Sequence, residues 1–129
     1  MADWRLAPVV DGAVTDQLRR DLDEDDFVLV HHALADDIRG RMAELAAALA
    51  RDDSETARRA IHSLKGAALN LGHLRLGLLC SHLNDRALAA DWPTVRAARD
   101  DLAAVCQLSL AALGHAGLAF GGDSSIVRR

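Results

Sequence analysis

Residues 57–72 read Ala57-Arg58-Arg59-Ala60-Ile61-His62-Ser63-Leu64-Lys65-Gly66-Ala67-Ala68-Leu69-Asn70-Leu71-Gly72. At about 100° per residue, Ala57, Ile61, Leu64, Ala68 and Leu71 fall on one side of a helix, the apolar stripe that a bundle helix turns towards its core. His62 stands about 100° from Ile61, on the outward side with Arg58, Lys65, Gly66 and Leu69. Gly72 occupies a natural helix-closing position. The stretch is therefore an amphipathic helix, about 55–71, that carries a histidine in the middle of its solvent face.

The same periodicity extends in both directions. Upstream, Phe27, His31, Leu34, Ile38, Met42, Leu45 and Leu49 recur at three- and four-residue steps and predict a helix from about Asp25 to Arg51. Asp52-Asp53-Ser54 ends that helix and supplies a cap for the next. Downstream, Leu76, Leu79, Cys80, Leu83 and Ala87 predict a helix over about 74–90. Asp91-Trp92-Pro93 breaks the chain, and proline is tolerated in the first turn of a new helix. Val95, Ala98, Leu102, Val105, Ser109 and Ala112 predict this last helix over about 93–113. Near the start, Thr15 is placed to cap a short helix through Leu22, and the acidic run Asp21, Asp23, Glu24, Asp25 and Asp26 favours the start of the long helix electrostatically. The expected fold is all-α: an antiparallel four-helix bundle over residues 11–113 with the short N-terminal helix as a lid, a lead-in over 1–10, and a flexible tail over 114–129.

Composition supports that class. Half of the 129 residues are apolar, but tyrosine is missing, phenylalanine and tryptophan occur twice each, and there are two prolines. Leucine and alanine carry the apolar content, and both favour helix. A net charge of −4 does not fit a general nucleic-acid surface, which needs clustered basic charge. No apolar run approaches the roughly 18 residues of a membrane span, and the start lacks a secretory pattern. Cys80 and Cys106 form no C-x-x-C pair and sit among apolar residues, as reduced thiols of a cytoplasmic core would.

The chemistry centres on His62. A mid-helix position gives it a rigid base. Lys65, three residues on, and Arg58, four residues back, bring positive charge near anything attached to the ring, as a phosphoryl group would require. Leu69 adds an apolar contact. Gly66 costs about 1 kcal/mol of helix stability relative to alanine, which is consistent with clearing space around the imidazole. Residue by residue, a second reading stands beside this one: a surface histidine on a solvated face, with Gly66 letting helices approach each other.

The stretch resembles the histidine-containing phosphotransfer (HPt) family, whose signature is His-x-Leu-Lys-Gly followed at a fixed spacing by Gly. Here it is His62, Leu64, Lys65, Gly66 and Gly72. The likeness continues through Leu76, Leu79, Cys80 and Leu83, and upstream through the Asp11 lead-in, the short helix, the acidic bend and Phe27. It spans roughly residues 11–112. One departure is Asn84, where the family often has an acidic residue; on another helix, it is expected to tune partner choice.

The resemblance implies a phosphorelay carrier that is not an enzyme. His62 would accept a phosphoryl group from a phosphoaspartate of one response-regulator receiver domain and pass it to another receiver, with Lys65 steadying the phosphoryl oxygens. The partners implied are receiver domains and a histidine or hybrid kinase, with no nucleic acid, no membrane, no cofactor on this chain and Mg²⁺ on the receiver. A cytoplasmic, free-standing monomer is expected. By helical phase the docking face would combine His32, Ala35 and Arg39 with Arg58, Arg59, Lys65 and Leu69. The alternative is an HPt-like bundle that binds a receiver or kinase without accepting phosphate.

Other chemistries fit less well. A histidine kinase needs an ATP-binding domain with acidic and glycine-rich boxes, which this chain lacks. A di-metal bundle needs inward Glu-x-x-His pairs, and none occurs in the sequence. His31 on the core stripe reads as a packed or hydrogen-bonded histidine, and His73 and His82 as surface residues, since neither is followed by Lys-Gly.

Overall fold

Aspartate starts most of the helices. The computed structural model of the chain describes residues 3–115. Within them, Asp11, Asp23, Asp53 and Asp91 each accept a hydrogen bond from a backbone N–H of the helix they precede, at 2.8–3.3 Å. The helices so begun are α1 (Gly12–Asp21), α2 (Glu24–Ala50), α3 (Ser54–Asn70) and α5 (Trp92–Ala97); α4 (Leu74–Leu88) and α6 (Arg99–His115) complete the set. Such caps satisfy donors that would otherwise have no intrahelical partner, each worth about 1 kcal/mol. Hydrogen bonds from Thr56 and Thr94 hold the Asp53 and Asp91 carboxyls below the usual carboxylate range. Thr15 is not a cap: Asp11 caps α1, which therefore starts at Gly12, about one turn earlier than the sequence predicts.

One connection is built three times. Arg51-Asp52-Asp53, Leu71-Gly72-His73 and Ala89-Ala90-Asp91 each place their middle residue in the left-handed region, at φ +55°, +80° and +57°. In each, the third residue's N–H returns to a carbonyl in the last turn of the preceding helix, at 2.8 Å. This is the Schellman closure, in which the orphan carbonyls of the helix end find donors. Only the central connection uses glycine, and there it has a second purpose. A Cβ at Gly72 would lie 2.9 Å from Val14 Cβ, so α1 could not seat over the α3–α4 turn.

The first residues are more than a lead-in. Trp4–Leu6 form a 3₁₀ turn against α4, Arg75 Nε donates to Ala7 O at 2.8 Å, and Asp11 N donates to Gly72 O at 2.7 Å. Residues 3–11 are thus fastened to the α3–α4 turn. Beyond it the bundle runs α2, α3, α4 and α6 antiparallel around one core, in which Leu34, Ile38, Ile61, Leu64, Leu76 and Leu102 are at most 2% exposed. Cys80 and Cys106 are unbonded and buried in that core, and burial pushes the Cys106 thiol up to about 12. No helix among the described residues is long and apolar enough to cross a membrane.

Three further sequence expectations need correction. The predicted helix over 93–113 is two helices, broken at Ala98, whose N–H is shared between Thr94 O and Val95 O at 3.2 Å each; nothing in Arg96-Ala97-Ala98-Arg99 explains the break. Gly114 and His115, assigned by the sequence to a tail over 114–129, belong to α6; the remainder of that segment, 116–129, lies outside the described residues.

The third correction is His73, which is 2% exposed and far from a surface residue. It follows the helix-closing glycine, the position whose side chain turns back onto the end of the preceding helix in a Schellman closure. Its Nδ1 has no hydrogen-bond partner among the described residues. Burial, with His31 adding to it, drives its pKa from 6.5 to about 4. A histidine buried neutral stabilises the fold fully above the unfolded-state value and loses that contribution as pH falls towards the folded-state value. Stability should therefore drop by roughly 3 kcal/mol between pH 6.5 and pH 4. Urea unfolding at the two pH values measures this, and His73→Leu should flatten most of the decline.

Candidate functional site

His62 stands outward because the rest of α3 is held inward. Ala57, Ala60, Ile61, Leu64 and Ala68 are at most 1% exposed. Burying one isoleucine or leucine stabilises by about 2 kcal/mol, so Ile61 and Leu64 alone outweigh the roughly 1 kcal/mol that Gly66 costs the helix. With that side fixed, His62 and Gly66 are exposed and Lys65 and Arg58 are partly buried. The His62 side chain makes no hydrogen bond or ion pair with any described residue, and neither do Arg58, Arg59 or Lys65.

Helical phase arranges these groups around the ring. Arg58 and Lys65 are seven residues apart and share the edge of α3 next to α4, while Arg59 and Ser63 lie on the edge next to α2. Cationic side chains therefore flank the imidazole on both sides, and the only acidic residue of α3 is Glu55, two turns away. An anion attached to the ring would meet unpaired cations.

Contact between α3 and α4 sets the edge beside His62. A Cβ at Gly77 would overlap the Leu69 side chain, so the two helices meet at a glycine on which Leu69 rests. Leu69 keeps 36% exposure, contributing an apolar surface while also serving as a packing residue. Sequence reasoning missed Gly77, although a glycine within a helical pattern is itself a signal of close approach. Asn84 lies seven residues beyond Gly77, and His62 seven before Leu69, so antiparallel register brings Asn84 to the level of His62. Asn84 is 7% exposed, so its side chain lies inside the bundle at that level. Its Oδ1 has no partner among the described residues.

Gly66 is clarified by its surroundings. A Cβ there would meet nothing within 4 Å, so no neighbouring helix requires the glycine and the surface next to the imidazole is open. Gly66 is exposed, and the space beside it opens to solvent.

The α2 side of the expected docking face is partly wrong. Ala35 is fully buried. His32, Arg39 and Ala46 fall on one stripe at seven-residue spacing, and Ala46 lines a cavity with Arg99, Asp100 and Ala103 of α6. His32 and Arg39 therefore lie on the edge of α2 away from α3, and Arg39 pairs there with Asp36 at 3.9 Å. The edge of α2 that does meet α3 carries Arg41, Glu44 and Arg51. With Thr56, Arg59 and Ser63 these line an open depression of about 470 Å³ beside the His62 stripe. Its arginines are partly neutralised, Arg41 by Glu44 at 3.1 Å and Arg51 by Asp53 at 3.2 Å. Residue spacing alone could not reveal this rotation, because phase about a helix axis says nothing of which neighbour stands where.

Among the described residues, the other histidines form no centre with His62. The Nδ1 of His31 lies 2.7 Å from Phe27 O and its ring packs on Phe27 at 4.2 Å, as a hydrogen-bonded core histidine. His82 lines a small cavity with Trp4, Arg5 and Asp101. No group of three or more potential metal ligands occurs among the described residues.

A family model described as Hpt domain matches residues 30–108, more than half of the chain. The fold is similar to that of histidine-containing phosphotransfer protein B from Pseudomonas aeruginosa PAO1, whose crystal structure superposes with a TM-score of 0.80 at 24% identity, covering 85% of this chain and 95% of that one. No curated protein matches the chain.

The two helical glycines make opposite predictions. Gly66→Ala should stabilise the protein by about 1 kcal/mol, because it gains helix propensity and touches nothing. Gly77→Ala should destabilise it by roughly 1–3 kcal/mol by forcing the Leu69 side chain out of its place. Urea midpoints of the two variants, measured at neutral pH, check both signs.

Proposed function

The chain belongs to the Hpt domain family, and from that premise we propose that it relays a phosphoryl group carried on His62. The observation that supports this most is an outward imidazole with no partner among the described residues, on a rigid helix, between unpaired cations and beside a glycine that leaves the surface open.

In the proposed step a lone pair on a neutral imidazole nitrogen attacks the phosphorus of a receiver phosphoaspartate. An N–P bond forms, the P–O bond to the aspartate breaks, and the carboxylate leaves with the electron pair. The reverse sequence delivers the group to a second receiver. Lys65, with Arg58 on the same edge, offsets the charge of the phosphoryl oxygens, and its ammonium acts as a point charge of the kind phosphate sites use. The receiver provides the acidic pocket and its Mg²⁺. This chain supplies a positioned nucleophile and a docking surface, and so acts as a carrier whose transfer is catalysed by its partner.

The docking surface in this reading is the exposed side of α3 with the facing edge of α2: Arg59, Leu69, the clear surface at Gly66, and the Arg41–Arg51 depression. It replaces His32 and Arg39, which face the other way. The partners are receiver domains and a histidine or hybrid kinase, the chain works as a monomer in the cytoplasm, and it carries no cofactor.

Phosphoryl transfer from a panel of phosphorylated receivers tests the assignment. Wild-type protein should acquire an acid-labile, base-stable label, and His62→Gln should acquire none while its helical signal and melting temperature barely change. Lys65→Ala should slow transfer without loss of fold; unchanged kinetics would remove its role. Incubation with ATP alone should leave the protein unlabelled.

A further inference from the structure

The depression between α2 and α3 is lined by polar and charged side chains alone. Arg41, Glu44 and Arg51 supply its α2 wall, and Thr56, Arg59 and Ser63 its α3 wall. Its volume, about 470 Å³, falls within the range of small-molecule sites, roughly 300–1,000 Å³. Such sites are ordinarily walled by apolar and aromatic groups. This lining has none, so it offers nothing to a ring, a nucleobase or an aliphatic chain. It offers charge and hydrogen bonds.

Three of the six lining residues are arginines, in a chain of net charge −4. Antiparallel register sets Arg51 near the level of Thr56 and Arg41 near that of Ser63, with Arg59 between them. Ten residues separate Arg41 from Arg51, about 15 Å along a helix, so the arginines form a row with a spacing of about 7 Å. Arg59 and the Ser63 hydroxyl have no partner among the described residues. Arg41 is held by Glu44 at 3.1 Å and Arg51 by Asp53 at 3.2 Å, exposed pairs of the kind that add little stability. Arg41 is also incompletely matched: its Nε is buried without a hydrogen bond, and Asp37 Oδ1 stands 4.0 Å away. Guanidinium groups donate in pairs to phosphate oxygens, so an anion of higher charge density than a carboxylate competes for all three.

We infer that the α2–α3 depression is a binding site for a short linear polyphosphate, with Arg41, Arg59 and Arg51 along its length and the Ser63 hydroxyl donating at one end. The lining provides no sheet edge or apolar anchor of the kind that holds a peptide, which favours the phosphate chain over a run of protein carboxylates. The site stands whether or not His62 carries phosphate. With the chain seated, the same surface is closed to a docking partner.

Calorimetric titration and amide NMR with inorganic triphosphate test the site, on the full chain at fixed ionic strength and without divalent cations. Triphosphate should bind at one site and shift the amides of Arg51, Thr56, Arg59 and Ser63. Arg59→Ala and Arg41→Ala should each weaken binding about tenfold by removing a charged donor, with the helical signal unchanged. Arg39→Ala, on the other edge of α2, should leave the affinity as it is. Orthophosphate should bind about tenfold more weakly, having one phosphate to share among the guanidiniums. Absence of binding at millimolar triphosphate overturns the site, and so do unchanged affinity in Arg59→Ala or shifts confined to Arg58 and Lys65. Equal affinity for orthophosphate overturns the linear ligand. A tetraglutamate peptide that binds as tightly as triphosphate also overturns it, by giving the depression to protein carboxylates.

Discussion

The approach of α3 to α4 governs what this protein presents to other molecules. Leu69 rests on Gly77 where any Cβ would overlap it, and the Schellman turn at Gly72 returns the chain in the register that makes that contact. Together they fix the rotation of α3. Once Ile61, Leu64 and Ala68 are committed to the core, His62 has only one direction left. The His62 imidazole is positioned by apolar packing on the opposite side of its own helix, and no polar group need hold it. An imidazole so placed keeps both nitrogens available for chemistry, which a histidine bonded into a network would not.

The three connections show how similar backbone geometry can serve different ends. Asp53 and Asp91 close one helix through their N–H groups and open the next through their carboxylates, so two helix ends are satisfied by one residue. His73 occupies the equivalent place between α3 and α4 but forms no side-chain cap. Its ring is turned into the core near His31. The central turn therefore gives up a cap and gains a buried, neutral histidine, and this ties the stability of the turn to pH. The N-terminal segment then fastens to the same turn through Ala7, Asp11 and Val14, which places α1 over the α3–α4 end of the bundle.

Surface chemistry divides the molecule. The exposed side of α3 is cationic in a chain of net negative charge, and its arginines and lysine have no partners among the described residues. Across the groove, the arginines of α2 are already paired with carboxylates. A partner approaching the histidine thus meets unpaired positive charge near the ring and largely neutralised charge further out. Long-range attraction and local charge stabilisation are therefore concentrated at the same place.

Much of this was legible in the sequence. Three- and four-residue apolar spacing determined the helices and their inward stripes. Arg58 with the run His62, Leu64, Lys65, Gly66 and Gly72 determined an outward histidine with cations one turn away on each side. Those are properties of a single helix, where the geometry per residue is constant. Tertiary structure decided whatever depends on a neighbour. It turned His32 and Arg39 away from α3, drew Ala35, His73 and Asn84 inside, divided the last helix at Ala98, and gave Gly77 its purpose. The physical reason is that periodicity specifies which residues share a face, but only packing between elements specifies what that face meets.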